Sequence, residues 1–424
     1  MDETKVLHKK KVLAPKLRFK GFDDEWKNNT LVAFDLKVID GDRGTNYPNG
    51  DDFSSEGYCL FMSAKNVTKS GFSFEEKVFI TKEKDELLRK GKLKRNDLVL
   101  TTRGSVGNIA FYNSSVELEN LRINSGMVII RNENNKIDSN FIYSSFFSPR
   151  IDRQLKTIAF GSAQPQLTVK EINKFKFIIP SLQEQQKIAS FLSEVDEKIQ
   201  LLNRKKQLLE QYKKGVMQQL FSGKMRFKDE NGKAYPKWEE KKLGDVFEFF
   251  RGSPISKSDL SESGKYLCIH YGELFTSYSE VINSIKSKTD LENGFFSIKG
   301  DILMPSSDVT PKGLAKASSI QIDKVILGGD MNILRPKFNY DSIFFSYLLN
   351  FNQQKIIQKV TGTTVKHIYN RDVKLLEFNI PKSFEEQKKI ADFLSAIDVK
   401  IESLSEQINQ TQNFKKGLLQ QMFV

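Results

Sequence analysis

The 424-residue chain is poor in the residues that build metal centres and crosslinks: two cysteines, Cys59 and Cys268, and three histidines, His8, His270 and His367. Two thiols exclude a disulfide framework and a four-thiolate zinc centre. Cys268 and His270 stand two apart, on one face if in a strand, and with no second Cys/His pair nearby they read as ordinary strand residues. No apolar run reaches the about 18–20 residues that span a bilayer. The opening MDETKVLHKKKVLAPK is charged and lacks a stretch of signal-peptide length. A cytoplasmic, reducing location and no membrane partner are expected. Pro-Pro occurs nowhere, so the Asn/Asp-Pro-Pro-aromatic tetrapeptide of an amino-methyltransferase is missing, as is a Gly-rich cofactor loop. A Walker A loop is missing too, since GSPISKS (252–258) lacks the second glycine. EEK (75–77) is half of a nuclease carboxylate pattern and has no copy further on, and the three histidines serve a Ser/His/Asp triad poorly. The expectation is a chain with no catalytic residues, no metal and no cofactor of its own.

What the chain does have is positive charge and a repeat. Lys+Arg is 66 against Asp+Glu 53, a formal +13. That surplus points to a polyanion, nucleic acid before acidic membrane, although an AT-rich genome also raises lysine. With 39% hydrophobic and 28% charged residues the chain is globular and long enough for two to four domains. The repeat spans about 202 residues: EQQKIASFLSEVDEKI (184–199) returns as EQKKIADFLSAIDVKI (386–401), identical at 11 of 16 positions. The same offset carries YKKGVMQQLF (212–221) onto FKKGLLQQMF (414–423). LRFK (17–20) answers MRFK (225–228), Trp26 answers Trp238, and RNDLVL (95–100) answers KGDILM (299–304). GSAQPQLTVKEINKFKFIIP (161–180) matches GTTVKHIYNRDVKLLEFNIP (362–381) in length and in its glycine and proline ends.

Each copy runs from a long mixed segment into a long helix. Short apolar runs separated by Gly, Asn, Asp and Ser predict many short strands in the mixed segments, with paired helices near 137–147 and 340–350. Ile188, Phe191, Leu192, Val195, Ile199 and Leu202 recur at helical spacing, as do their counterparts from Ile390 onward. Pro180 and Pro381 precede the helices, and Ser181–Glu184 and Ser383–Glu386 have capping-box spacing. A helix over about 182–222 is about 60 Å long. Its one apolar stripe needs cover, either from its own copy in an antiparallel pair or from its own domain. Gly215 and Gly417 interrupt the two helices at matching places and imply a close backbone approach or a helix break.

The polar, Gly-rich loops differ between the copies while the helices agree. The first copy offers GDRGTNYPNG (41–50), SAKNV (63–67), TTRGSVGN (101–108) and GSAQPQ (161–166); the second offers FFRGSPISKS (249–258), HYGE (270–273) and PSSDVTPKG (305–313). Arg can read guanine and Asn or Gln adenine, while Ser, Thr and Lys suit phosphates. A duplicated scaffold with divergent loops suits the reading of two different sequences.

The tandem units and the EQxKIAxFLS…KKGxxQQxF helices resemble the specificity subunit of a type I restriction–modification enzyme, from PKLRFKGF (15–22) to the last residue. The resemblance implies an α+β fold: two mixed α/β target recognition domains separated by two long helices that form an antiparallel coiled coil, with a pseudo-two-fold internal repeat. The expected segments are a basic tail (1–14), recognition domain 1 (15–180), a central helix (181–222), recognition domain 2 (223–381) and a C-terminal helix (382–424). It also implies double-stranded DNA, two modification subunits and two restriction subunits as partners, with S-adenosylmethionine, ATP and Mg on those partners. Each recognition domain would read half of a bipartite site, and the paired helices would set the spacer and dock the modification subunits. The expected DNA-binding residues are Arg43, Asn46, Lys65, Arg103, Ser105 and Gln164 in the first domain and Arg251, Lys257, His270 and Lys312 in the second. The expected docking positions are Phe191, Leu192, Tyr212 and Gly215 on one helix and Phe393, Leu394, Phe414 and Gly417 on the other. The lead 1–14, with Lys5, Lys9, Lys10 and Lys11, has no counterpart in the second copy and is either a solvated tail or a phosphate-binding arm. The alternative to the whole reading is a helical adaptor or scaffold without sequence-specific DNA binding.

Overall fold

The computed structural model describes residues 13–159 and 166–424; Gln164 and the lysines of the lead lie outside the described residues. Two long helices, Leu182–Phe221 and Phe384–Met422, stand where the repeated periodicity predicts them. The chain divides into two compact units, one formed by residues up to Leu202 with Gln407–Val424 and the other by Asn203–Glu406. Each unit therefore takes one end of each long helix.

The first unit is built on an antiparallel sheet of four strands in the order Leu36–Asp40, Met127–Asn132, Leu98–Thr101 and Ile109–Phe111. These strands read as near-continuous apolar runs because both faces are covered, as in MVII and LVL. A three-stranded sheet pairs Cys59–Met62 in parallel with Leu121–Ile123 and antiparallel with Phe79–Ile80. The second unit repeats the plan. Its strands Phe247–Arg251, Met331–Pro336, Ile302–Pro305 and Ser318–Ile320 form the equivalent sheet, extended by Val281–Ile282. Tyr266–Ile269 again runs parallel to its partner, Ile326–Leu327. Cys268 is buried inside its strand, and His270 lies just past the strand end.

In each unit the last strand, Lys176–Ile179 or Glu377–Ile380, pairs with an early one and delivers the chain into a long helix. Ile188, Leu192 and Val195 share one core with Trp26, Phe141 and Phe177, while Ile390, Leu394 and Ile397 share another with Phe247, Phe344 and Phe378. Burying each such leucine stabilises the fold by about 1.5–3 kcal/mol. Both sources of cover foreseen for the stripe operate together. The start of each helix packs on its own domain, and Leu418, Leu419 and Met422 or Val216, Met217 and Leu220 join the same cores from the other helix.

Polar contacts fix the direction of that pairing. In the first unit Arg18 grips Glu184 with Nε–Oε1 2.7 Å and Nη2–Oε2 2.8 Å, and the adjacent Leu17 N–H donates to Gln421 O at 2.9 Å. Farther along, Lys415 pairs with Asp196 at 2.5 Å, so the helix ends in this unit run antiparallel. In the second unit Arg226 grips Glu386, Met225 N–H donates to Gln219 O at 3.1 Å, and Lys213 pairs with Asp398 at 2.7 Å. The capping boxes are consequently not formed as expected. Glu386 N–H does reach Ser383 Oγ at 3.3 Å, but the carboxylates of Glu184 and Glu386 are buried on the arginines of LRFK and MRFK instead. An ion pair with two charge-assisted bonds outcompetes a neutral cap.

The two glycines also differ from expectation. Both helices run unbroken through Gly215 and Gly417, and a Cβ built on either meets nothing within 4 Å. Neither a break nor a close approach within the described residues accounts for them.

Candidate nucleic-acid interface

In the first unit the loop after Leu36–Asp40 begins at Gly41, where a Cβ would lie 2.3 Å from Asn124 O, so only glycine lets the two backbones pass. Asp42 follows, buried, and accepts N–H bonds from Gly44 (2.7 Å), Arg89 (2.7 Å) and Lys90 (3.3 Å). Burial pushes its carboxyl up, but these three donors more than offset that and hold it below the usual carboxylate range. With Asp42 pinned, Arg43 stays on the surface, bound to Asp40 at 3.1 Å and to Ser125 O at 3.3 Å.

The loop 101–108 meets the same turn. Thr102 and Arg103 N–H donate to Gly126 O at 2.9 and 3.2 Å, and Gly104 and Gly107 have positive φ. Thr101 Oγ1 accepts from Asn108 N–H at 3.0 Å and donates to Ser105 O, closing the loop. Leu167 N–H then donates to Thr102 O at 3.0 Å, bringing in the chain that follows the 160–165 segment. Arg43 through its side chain and Arg103 through its backbone thus meet the Asn124–Gly126 turn, and both, with Ser105, are exposed. Asn46 and Lys65 do not join them: Asn46 Nδ2 lies 3.5 Å from Leu87 O, and Lys65 pairs with Glu76 at 3.0 Å.

The second unit reproduces this framework with other side chains. Gly252 replaces Gly41, its Cβ position only 1.8 Å from Gly328 O. Ser306 N–H donates to Asp330 O at 2.8 Å, and Ile368 N–H donates to Ser306 O at 3.1 Å, as Thr102 and Leu167 do in the first unit. Arg251, Lys257 and Lys312 are exposed. His270 is not: it is buried, its N–H donates to Glu273 Oε2 at 2.8 Å, and its Nδ1 accepts from Gly272 N–H at 3.1 Å. Its ring serves the local turn, which leaves it little reach toward a base.

Sequence reasoning passed over the 365–371 stretch of the second unit. Ser307–Asp308 pairs with Lys366–His367 as a two-stranded ribbon, and the turn Pro311–Leu314 that carries Lys312 packs against both strands. The repeat itself held the signal, since GTTVKHIYNR aligns with the GSAQPQ-containing segment.

On the helices, Leu192 and Leu394 are core residues, and Phe191 and Phe393 pack edge-on against Phe19 and Phe227 at 5.7 Å. Tyr212 and Phe414 are different: 53% and 55% exposed, each three residues before a bare glycine. Among the described residues no cluster of three or more His, Cys, Asp or Glu could hold a metal ion, and no helix is long and apolar enough to cross a membrane.

Two domains of one plan, each carrying exposed basic loop residues on the same backbone frame, make up a duplicated module. The chain belongs to the type I restriction modification DNA specificity domain family, whose model matches residues 37–211 and 235–412. It is thus a DNA sequence-specificity subunit, of a family that is non-catalytic, and not a scaffold lacking sequence specificity. Among its relatives are two specificity subunits of Methanocaldococcus jannaschii. The MjaX chain, described as putative, is 25% identical over 371 residues, covering 84% of this chain and 82% of that one. The MjaVIII chain is 25% identical over 395 residues, covering 87% and 86%. The crystal structure of the type I S subunit from M. genitalium has the same fold, with TM-score 0.63 at 16% identity over 97% of this chain and 99% of that one. A chain from a study of complex assembly and conformational transition in a type I system superposes with TM-score 0.56 at 16% identity, over 94% and 97%.

Proposed function

We propose that each unit reads one half of a bipartite duplex site through its loop cluster, and that the long helices set the spacer and dock two modification subunits. Those subunits would bring S-adenosylmethionine, and restriction subunits would bring ATP and Mg, making the whole a DNA adenine methyltransferase and endonuclease of the cytoplasm. The observation that carries this reading is the close-packed glycine and the anchored turn, present in both units beneath different surface side chains. A shared backbone frame with exchanged side chains is how one scaffold reads two sequences. Arg43, Arg103 and Ser105 on one unit and Arg251, Lys257 and Lys312 on the other are the proposed contacts. Tyr212–Gly215 and Phe414–Gly417 are one patch present twice, which suits two copies of one partner. Exchanging residues 15–180 for the equivalent segment of a homologue tests the plan by mapping methylated sites in the host genome. One half of the site is expected to change; a change in both halves, or in neither, rejects it.

A further inference from the structure

The second unit carries an exposed feature that none of the expected contacts includes. The ribbon Ser307–Asp308 / Lys366–His367 ends in a turn where Thr361 and His367 exchange backbone bonds of 2.9 and 2.8 Å and Gly362 has φ +104°. Beneath it the base is fixed. Buried Asn332 donates to Ile368 O at 3.0 Å, Ile368 N–H donates to Ser306 O, and Asn370 Nδ2 donates to Phe250 O at 2.9 Å, beside Arg251.

Its outer surface is of another character. Val309 is 71% exposed, Val365 projects from the turn, and His367 stacks on Tyr369 with rings 16° from parallel. Arg371, 80% exposed at its side chain, lies over the Tyr369 ring at 4.9 Å. Isolated exposed valines need no explanation, but two of them beside an aromatic–guanidinium stack, on a rigid base and next to exposed Lys312, are a patch with a use. Two carboxylates stand nearby: Asp372 forms a long ion pair with Arg371 Nε at 3.7 Å, and Asp308 turns its carboxylate to Val309 N–H and Thr310.

We propose that this ribbon is the groove-inserting element of the second unit, resting on the half-site reading given above. A two-stranded ribbon fits the major groove of B-form DNA. There the methyls of Val309 and Val365 meet thymine C5-methyl groups, and Arg371, steadied over the Tyr369 ring, presents its fork to guanine O6 and N7. Lys312, exposed on the turn packed against both strands, suits a phosphate at the groove edge.

The test compares wild type with Arg371→Ala and with the double variant Val309→Ala/Val365→Ala, each co-expressed with its modification subunits. Methylated adenines are mapped genome-wide, and the urea midpoint of each chain is measured beside them. The half-site of the second unit is first identified as the half that changes when 223–381 is exchanged. The proposal expects degeneracy at one or more positions of that half only, with discrimination falling about ten- to hundredfold and midpoints unchanged. An unaltered map, or a loss spread evenly over both halves, overturns the ribbon while leaving the half-site reading in place. If the wild-type chain gives no bipartite pattern, the half-site reading falls and takes the ribbon with it.

Discussion

Arg226 donates to both oxygens of Glu386, at 3.0 and 2.7 Å, and to Pro236 O at 2.7 Å. Because the Glu386 carboxylate is fully buried, Arg226→Ala leaves a charge without its partner and is expected to cost about 2–4 kcal/mol, read from the urea midpoint. Lysine cannot copy the fork and should recover less than half, whereas the paired change Arg226→Met/Glu386→Leu should lose far less than the single one. Asp42 gives a pH-dependent counterpart. Its folded-state pKa is held down, so its contribution is present above the ordinary carboxylate value and lost as pH falls through the lower, folded-state value. The stability gap between wild type and Asp42→Asn should therefore be widest near neutrality and close below about pH 4. A gap constant from pH 7 to pH 2 contradicts this account. The loop carrying Arg43 should loosen in the same variant and relax the half-site of the first unit.

At the scale of elements, the repeat made much legible. LRFK and MRFK, the EQ pairs at the helix starts, and the aspartates of RNDLVL and KGDILM were visible as recurring residues. The structure gives each of them a partner. Arg18 and Arg226 hold the glutamates, Gln185 and Gln387 accept the N–H of Asp138 and Asp341, and Asp97 and Asp301 each bind an arginine one strand away at 2.7 Å. Recurrence marked which residues matter, but only tertiary packing decides which pair with which. The capping-box reading failed for that reason: local spacing was right, and a partner 166 or 160 residues away took the carboxylate. Val309 and Val365 give no signal in the linear sequence, because only the pairing of Ser307–Asp308 with Lys366–His367 brings them together. The glycines make a separate prediction. Gly215→Ala and Gly417→Ala clash with nothing and should each stabilise the chain by up to about 1 kcal/mol. If the flanking Tyr212 and Phe414 form a partner's seat, the same alanines, and Tyr212→Ala/Phe414→Ala, should weaken co-purification of modification subunits. Thermal melts and pull-downs of intact complexes separate the two effects.

For the whole molecule, charge follows function. The segments 181–222 and 382–424 together hold only +2 of the formal +13, leaving +11 on the recognition segments and the lead. Phosphate contact by those regions should make DNA binding fall steeply with salt. The fold class could be read in advance because duplication and helical periodicity survive divergence. The reading surfaces could not, because loops are where two copies are free to differ.

The bond between Leu17 N–H and Gln421 O has a topological meaning. Its counterpart, Met225 N–H to Gln219 O, spans a continuous stretch of chain, Ser222–Lys224 linking one helix end to the next domain. The first unit has the same neighbours at the same join. Joining Val424 to Leu13 through a short linker, with residues 1–12 left out, and opening the chain at Gly223 should yield a circular permutant of unchanged specificity, checked by its methylation map. The order of the two recognition segments in the gene would be reversed while the order of the half-sites they read stayed the same.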